Sequence, residues 1–171
     1  MRFLDAVPAD SATLRRYFGC FPSGVAAVCA FIGGAPVGMA ASSFTSVSID
    51  PPLLSVCIRQ ESETWRQLRN SPRLGISILA EEQDVTCRTL SDKYGDRFCG
   101  VAWDRSRDDA VFIRDAAACF DCSVHAEIPA GDHDIVLLAI HAAQADHGIE
   151  ALVFHKGRFR KLLAAEGGYQ N

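Results

Sequence analysis

The sequence predicts one mainly β domain, an antiparallel barrel with a few peripheral helices. The chain has 171 residues, of which 49% are hydrophobic and 22% charged, enough for one domain with a buried core. Short apolar or alternating runs bounded by Gly and Pro recur along it, which is typical of strands. Helical patterns are few and do not alternate regularly with strands, and no Gly-x-Gly-x-x-Gly motif follows a strand. Both observations disfavour a doubly wound parallel sheet.

The predicted domain covers residues 9–162, and a short polar tail, residues 163–171, follows it. Asp10 or Ser11 can cap a first helix, in which Leu14, Tyr17 and Phe18 have helical spacing. Two further helices are expected over residues 63–70 and 81–90. Strands are expected over residues 24–32, 36–43, 53–58, 74–79, 110–113, 118–128, 134–145, 152–155 and 158–162. Residues 129–132, Pro-Ala-Gly-Asp, predict the hairpin turn between the two longest strands.

Charge and hydropathy disfavour two classes of binding partner, nucleic acids and membranes. The formal net charge is −4, which disfavours a broad nucleic-acid surface. The longest apolar stretch, residues 25–32, is far shorter than the roughly 20 residues of a membrane helix. The first ten residues carry Asp5, Pro8 and Asp10 where a signal peptide needs an apolar run. The seven cysteines are an odd number, which favours reduced thiols. We therefore expect a cytoplasmic protein that binds neither nucleic acid nor membrane.

Residues 40–48, Ala-Ala-Ser-Ser-Phe-Thr-Ser-Val-Ser, are small and hydroxylated where the chain leaves a predicted strand. Such a stretch lets backbone amides and hydroxyls approach a flat polar ligand or a phosphate closely. The pattern alone favours an ordinary polar strand end with Ser/Thr turns.

Two segments carry candidate anion ligands. Ser62 or Thr64 can cap the following helix, and arginines lie nearby in the sequence, a combination that attracts anions. The loop after the third helix holds Lys93, Arg97 and Phe98, which can clamp a phosphate or stack on a ring. Taken alone, each segment favours its ordinary interpretation, which is a helix cap without a ligand for the first and a solvated charged loop for the second.

A third candidate is His133, which follows Gly131-Asp132 at the predicted hairpin turn. It can face a pocket and hydrogen-bond a substrate, although a surface histidine after a turn is the commoner arrangement. No metal site is predicted, because Cys119 and Cys122 stand three apart on a strand and point to opposite faces. No Gly-x-Ser-x-Gly motif marks a serine nucleophile.

The order and spacing of these motifs resemble the flavin reductase-like family, which has the FMN-binding split-barrel fold. The most specific stretch is Ser-Phe-Thr-Ser-Val-Ser-x-Asp-Pro-Pro-Leu, residues 43–53. It stands between Phe-Pro-Ser-Gly-Val, residues 21–25, and Ser-Glu-Thr, residues 62–64. Downstream are Gly-Asp-Arg-Phe at 95–98, Gly-Asp-His at 131–133 and His-Lys-Gly-Arg-Phe at 155–159. The resemblance extends from about Leu14 to Leu162.

The resemblance implies an antiparallel split barrel of six strands, usually a homodimer, with flavin bound near the subunit interface. Many members of the family are reductase components of two-component flavin monooxygenases. They oxidise NADH or NADPH, and they release reduced FMN or FAD to a partner oxygenase. The sequence distinguishes neither FMN from FAD nor NADH from NADPH, and it does not identify the partner.

The resemblance also implies roles for individual residues. His133 positions the nicotinamide, and Ala40-Ala41, where many relatives carry Thr or Asn, leave backbone contacts to the flavin. Ser62 and Thr64 hold the flavin phosphate with help from Lys93, Arg97 and Phe98. The complete set of implied flavin-binding residues is Met39, Ala40, Ala41, Ser42, Ser43, Phe44, Ser48, Ser62, Thr64, Lys93, Arg97, Phe98 and Arg158.

Hydride transfer needs two rings stacked at close range, so orientation is the main contribution of the protein. That requirement agrees with a sequence in which no catalytic triad is recognisable. Three other functions remain open at this point. They are a non-catalytic flavin-binding module, a split-barrel oxidase that retains its flavin, and a barrel that binds haem or a coenzyme of similar size.

Overall fold

The computed structural model describes residues 6–7 and 10–163, so residues 164–171 of the predicted tail lie outside it. Its helices are α1 (Ser11–Phe18), α2 (Glu63–Leu68) and α3 (Asp84–Leu90). Its strands are β1 (Ser23–Gly24), β2 (Ala26–Ile32), β3 (Ala35–Ala41), β4 (Thr45–Ser48), β5 (Leu53–Arg59), β6 (Leu74–Ile78), β7 (Trp103–Arg105), β8 (Val111–Ile113), β9 (Ala118–Ala130), β10 (His133–Ala145), β11 (Val153–His155) and β12 (Arg158–Arg160). No helix among the described residues is long and apolar enough to cross a membrane.

Seven strands form the main sheet, in the order β3-β2-β6-β9-β10-β5-β4, and every pairing in it is antiparallel. The sheet curls, so that Ser43, just after β3 at one end of the strand order, reaches β5 near the other end and bonds through its hydroxyl to the backbone of Cys57. Two small sheets, β1-β11-β12 and β7-β8, lie outside the main one. The prediction of a mainly β antiparallel fold with a few peripheral helices is confirmed.

Strand β2 is buried on both faces and so joins two cores. Val28 faces one core with Val56 and Val136, and α2 adds the buried Trp65. On the other face, Ala27 and Cys29 pack in a second core with residues of α3 and β8. A strand covered on both sides needs apolar residues at consecutive positions. This explains the unbroken apolar run at residues 25–32.

The structure differs from the sequence prediction in several places. The hairpin turn predicted over residues 129–132 is confined to residues 131–132, because Pro129 and Ala130 pair with β10 as part of β9. Residues 45–48, predicted as part of a polar strand end with Ser/Thr turns, form a separate strand β4, because the free edge of β5 pairs with them. Strand β7 was not predicted. The expected strand 24–32 divides at Val25, since Gly24 pairs with β11 while Ala26 pairs with β3 and β6. Helix α3 begins at Asp84 and not at residue 81, because Gln83 Oε1 accepts a bond from the Ala80 amide.

Gly75 provides a test of this packing. A Cβ atom at Gly75 would lie 2.0 Å from the carbonyl oxygen of Val111, which belongs to the backbone of β8. Backbone cannot rotate away, so we expect Gly75→Ala to lower the free energy of unfolding by about 2–3 kcal/mol. The matched variant Gly24→Ala adds a methyl group in open space and should leave stability nearly unchanged. Urea titration of both variants measures the difference, and equal stabilities would contradict the packing of β8 on β6.

Candidate functional site

A cavity of about 670 Å³ lies where the ends of β3 and β5 meet the start of α2, the loop after α3 and the start of β10. It brings together ten of the fourteen site residues implied by the resemblance. They are Met39, Ala40, Ala41, Ser42, Ser43, Ser62, Thr64, Lys93, Arg97 and His133. These residues come from four separate segments of the chain, so only the fold makes them neighbours.

The other four implied site residues do not line this cavity. Phe44 packs against the barrel core, with its ring centroid 5.9 Å from that of Phe120. Phe98 packs in the second core, edge-on to Trp103. Ser48 lies at the end of β4, and Arg158 is an exposed residue of β12. The two phenylalanines therefore belong to the two cores and not to the lining of the cavity.

The side chain of Arg97 joins three walls of the cavity. Its Nη1 donates to the Thr64 hydroxyl at 2.7 Å and to the Gly38 carbonyl at 3.2 Å, while Nε donates to the Asp92 carbonyl at 2.5 Å. Because the Thr64 oxygen accepts from Arg97, its own proton is free to be donated to a ligand. The guanidinium is thus held rigidly at the cavity wall, and its positive charge lies beside a hydroxyl donor.

A second hydroxyl and a second cation stand close to this pair. Ser62 caps α2 by accepting from the Trp65 amide at 3.2 Å, and the one other hydrogen-bond partner of its hydroxyl among the described residues is the Met39 sulfur at 3.8 Å. A thioether is a weak acceptor, so the Ser62 proton is also available to a ligand. Lys93 lines the same wall, and within the described residues its ammonium group makes no ion pair. This part of the cavity suits an anion such as a phosphate.

Acidic side chains also border the cavity, and their charge is partly balanced. Glu61 and Glu63 line it. The carboxylate of Glu63 forms an exposed ion pair with Arg66 at 2.6 Å. Arg59 adds a further cation on the β5 wall.

Ser43 uses its hydroxyl to hold the barrel together. The hydroxyl accepts from the Cys57 amide at 2.9 Å and donates to the Cys57 carbonyl at 3.0 Å. Ser42, its neighbour, lines the cavity, and its hydroxyl makes no protein hydrogen bond among the described residues. Ala40 and Ala41 complete this wall with side chains too small to fill the space, which leaves room for a flat ring.

His133 is the first residue of β10 and lies opposite Arg59 of β5 in the sheet register. Its Nδ1 lies 2.7 Å from Asp132 Oδ1, and this hydrogen bond together with the imidazole charge lowers the pKa of Asp132. The carboxylate orients the ring and leaves Nε2 for a ligand. Among the described residues, no group of three His, Cys, Asp or Glu side chains is arranged to hold a metal ion.

Sequence reasoning missed several residues of the wall. Cys57 and Arg59 line the cavity on β5, and Leu90 and Ser91 line it at the end of α3. The signal on β5 is its alternation, since Val56 is buried while Cys57 and Arg59 are exposed. The end of α3 carries no comparable signal, because only the tertiary contact of the helix with β3 brings Ser91 to the site.

The fold is a curled antiparallel sheet of the β-barrel class, and its cavity is lined by hydroxyl groups and cations. Such a cavity suits a phosphorylated aromatic ligand. The chain belongs to the flavin reductase like domain family, whose model matches residues 18–163. The resemblance observed in the sequence is confirmed by that match.

Individual proteins similar to this chain carry names that match the family. A probable flavin reductase of Rhizobium meliloti is 38% identical over 88% of this chain, which spans only 48% of that relative's length. The reductase subunit HsaB of a flavin-dependent monooxygenase from Rhodococcus jostii is 29% identical, over 90% of this chain and 80% of the relative. The solved structure of NADH:FAD oxidoreductase SgcE6 of Streptomyces globisporus C-1027, in complex with NAD and FAD fragments, superposes with a TM-score of 0.88. It is 34% identical, and the match covers 98% of this chain and 100% of that one.

The two adjacent serines of the wall provide a test. Ser43→Ala removes both hydrogen bonds to Cys57, so we expect the free energy of unfolding to fall by about 1–2 kcal/mol. Ser42→Ala removes a hydroxyl of the same size at the next position without breaking a protein hydrogen bond. Thermal unfolding of both variants measures the difference, and an equal effect on the two would show that Ser43 does not hold β3 to β5.

Proposed function

We propose that this chain is an NAD(P)H:flavin oxidoreductase, which transfers a hydride from a reduced nicotinamide to FMN or FAD. The observation that carries the proposal is the cavity itself. It combines an anion-binding wall around Arg97 and Thr64, a wall of small side chains at Ala40–Ser42, and an oriented histidine. Relatives with flavin reductase and NADH:FAD oxidoreductase names support the same reaction.

The residues present fit a flavin. The Ser62 and Thr64 hydroxyls, with Arg97 and Lys93, would hold the phosphate, because two free hydroxyl protons and two cations match a dianion. The isoalloxazine and ribityl chain would lie along residues 39–43, where backbone amides and small side chains permit close approach.

A bound flavin supplies the hydride acceptor, so the chain's own residues need only bind and orient the two rings. His133, held by Asp132, is proposed to position the nicotinamide. The walls of the cavity exclude part of the solvent from the space between the rings. No side chain has to act as acid, base or nucleophile in this account.

We further propose that reduced flavin leaves for a partner monooxygenase. The support is the relative from Rhodococcus jostii, which is the reductase subunit of such an enzyme. A cytoplasmic location is part of the proposal, because the seven cysteines are all free thiols and free thiols persist in a reducing compartment.

A homodimer is also proposed, because one outer face of the barrel carries uncharged side chains in aligned rows. In the β9-β10-β5 register, Ile128, Ile135 and Cys57 form one row. The next row consists of Ala126, Leu137 and Ser55. We call these two rows the uncharged face.

The uncharged face is continuous with the cavity. The preceding row of the sheet pairs His133 with Arg59, and both of these residues, with Cys57, line the cavity. A second copy packed on this face would therefore cover one side of the flavin site. Burial of apolar side chains supplies the driving force for such an association.

NADH oxidation tests the enzymatic proposal. We expect the absorbance of NADH to fall only when FMN or FAD is added, and the rate to saturate with flavin. Binding of flavin without oxidation of NADH or NADPH would overturn the proposal in favour of a non-catalytic flavin-binding module. A flavin that survives dialysis and reacts without added flavin would favour an oxidase that retains it.

The anion-binding wall, formed by Ser62, Thr64, Lys93 and Arg97 and called the phosphate wall below, can be tested separately. Replacing both hydroxyls, Ser62→Ala with Thr64→Ala, removes two hydrogen bonds to a charged group, each worth roughly 1.5–3 kcal/mol. We expect the dissociation constant of FMN to rise at least about tenfold, while that of riboflavin, which has no phosphate, stays nearly constant. Flavin fluorescence titration measures both constants, and equal weakening of both ligands would place the phosphate elsewhere.

The uncharged face makes another prediction. Leu137→Glu puts a charge in the middle of the proposed dimer contact, where its desolvation is unfavourable, so we expect the protein to become monomeric. Val85→Glu changes an exposed apolar residue of α3 and should leave the mass unchanged. Light scattering after size-exclusion chromatography measures the mass of each variant. A dimer that survives Leu137→Glu would exclude this face as the interface.

A further inference from the structure

A second hollow of about 380 Å³ adjoins the proposed flavin site. The two cavities share four lining residues, Ala40, Ala41, Ser42 and Ser91. The hollow is otherwise bounded by α3 and by the β11-β12 hairpin, which contribute Arg88, Phe154 and Phe159. It is therefore a side extension of the proposed flavin site, on the side of α3.

The walls of this hollow suit a heteroaromatic ring. The rings of Phe154 and Phe159 lie 5.4 Å apart at 60°, and the guanidinium of Arg88 lies 4.9 Å above the centroid of Phe159. A planar guanidinium and phenyl rings are the surfaces on which purine bases stack. Val25 and Cys87 add apolar lining.

Arg88 is available to a ligand. Its side chain is 68% exposed, and its contact with Asp84 is a long one of 3.7 Å on the same helix. Exposed ion pairs of this kind contribute little to stability, so a ligand can recruit the guanidinium at small cost. The positive charge can bind a phosphate, and the planar group can stack on a base.

We propose that this hollow binds the adenosine half of FAD, so that the protein prefers FAD to FMN. The inference rests on the proposed function, and it assigns the flavin between two alternatives that the sequence leaves open. Ser91 lies in both cavities and is two residues from Lys93, which belongs to the proposed phosphate wall. A dinucleotide whose first phosphate lies at that wall can continue past Ser91 to Arg88 and Phe159.

Dissociation constants of FAD and FMN test the inference with the variant Arg88→Gln, which keeps two of the three methylene groups and removes the guanidinium. We expect the constant for FAD to rise about threefold to tenfold, since a stacking or phosphate contact of Arg is lost. The constant for FMN and FMN-dependent NADH oxidation should stay unchanged. The control Arg114→Gln removes another exposed, ion-paired arginine that lines neither cavity, and it should change neither flavin.

A second variant, Phe159→Leu, keeps apolar packing and removes the ring, and it should likewise weaken FAD alone. Equal weakening of FMN and FAD in both variants would overturn the inference, because the hollow would then hold a part common to both flavins. A rise confined to the KM of NADH would also overturn it, by assigning the hollow to the nicotinamide dinucleotide. FMN-dependent NADH oxidation by the unaltered protein reports on the proposed function separately, so the two failures are distinguishable.

Discussion

The arrangement of the site depends on one side chain, the guanidinium of Arg97. It bonds to the carbonyl of Gly38 on β3, to the hydroxyl of Thr64 on α2 and to the carbonyl of Asp92 in its own loop. Three segments far apart in the sequence are thereby fixed as three walls of one cavity. Because the planar guanidinium has five donors, it can hold these walls and still offer N–H groups to an anion. Lysine, with a single rotatable ammonium, cannot replace that geometry.

A second side chain that fixes the site is Ser43, where the two ends of the curled sheet approach each other. The curled sheet brings the end of β3 against β5, and the hydroxyl of Ser43 satisfies both backbone groups of Cys57 at that junction. The neighbouring Ala40, Ala41 and Ser42 are therefore held at a fixed distance from β5 without large side chains between them. Structure and site are coupled here, because the segment that joins β3 to β5 through Ser43 also forms the wall on which a flat ring can lie.

The general fold could be predicted from the sequence, because the patterns that indicate its strands lie within short stretches of the chain. Apolar runs ended by Gly or Pro indicate strands, and β2 is identifiable because burial on both faces demands consecutive apolar residues. Strand β4 could not be predicted in this way. Its residues are exposed and hydroxylated, and it is a strand only because the edge of β5 is available to it.

The site could be predicted only in part, for a similar reason. Motif spacing identified Ser62, Thr64 and Arg97, which the structure brings together. It also included Phe44 and Phe98, which follow Ser43 and Arg97 directly in the chain but point into the two cores. A motif therefore assigns a segment to a site more reliably than it assigns each side chain. Ser91 reaches the cavity through tertiary packing that no local pattern encodes.

The central claim is that the wall formed by Arg97 and Thr64 receives the phosphate of a flavin. A crystal structure of the protein with FMN tests it most directly. The account predicts that phosphate oxygens lie within hydrogen-bond distance of Thr64 Oγ1 and the Arg97 guanidinium, with the isoalloxazine along residues 39–43. FMN bound elsewhere on the barrel, or bound here with its phosphate turned away from Arg97, would contradict the account.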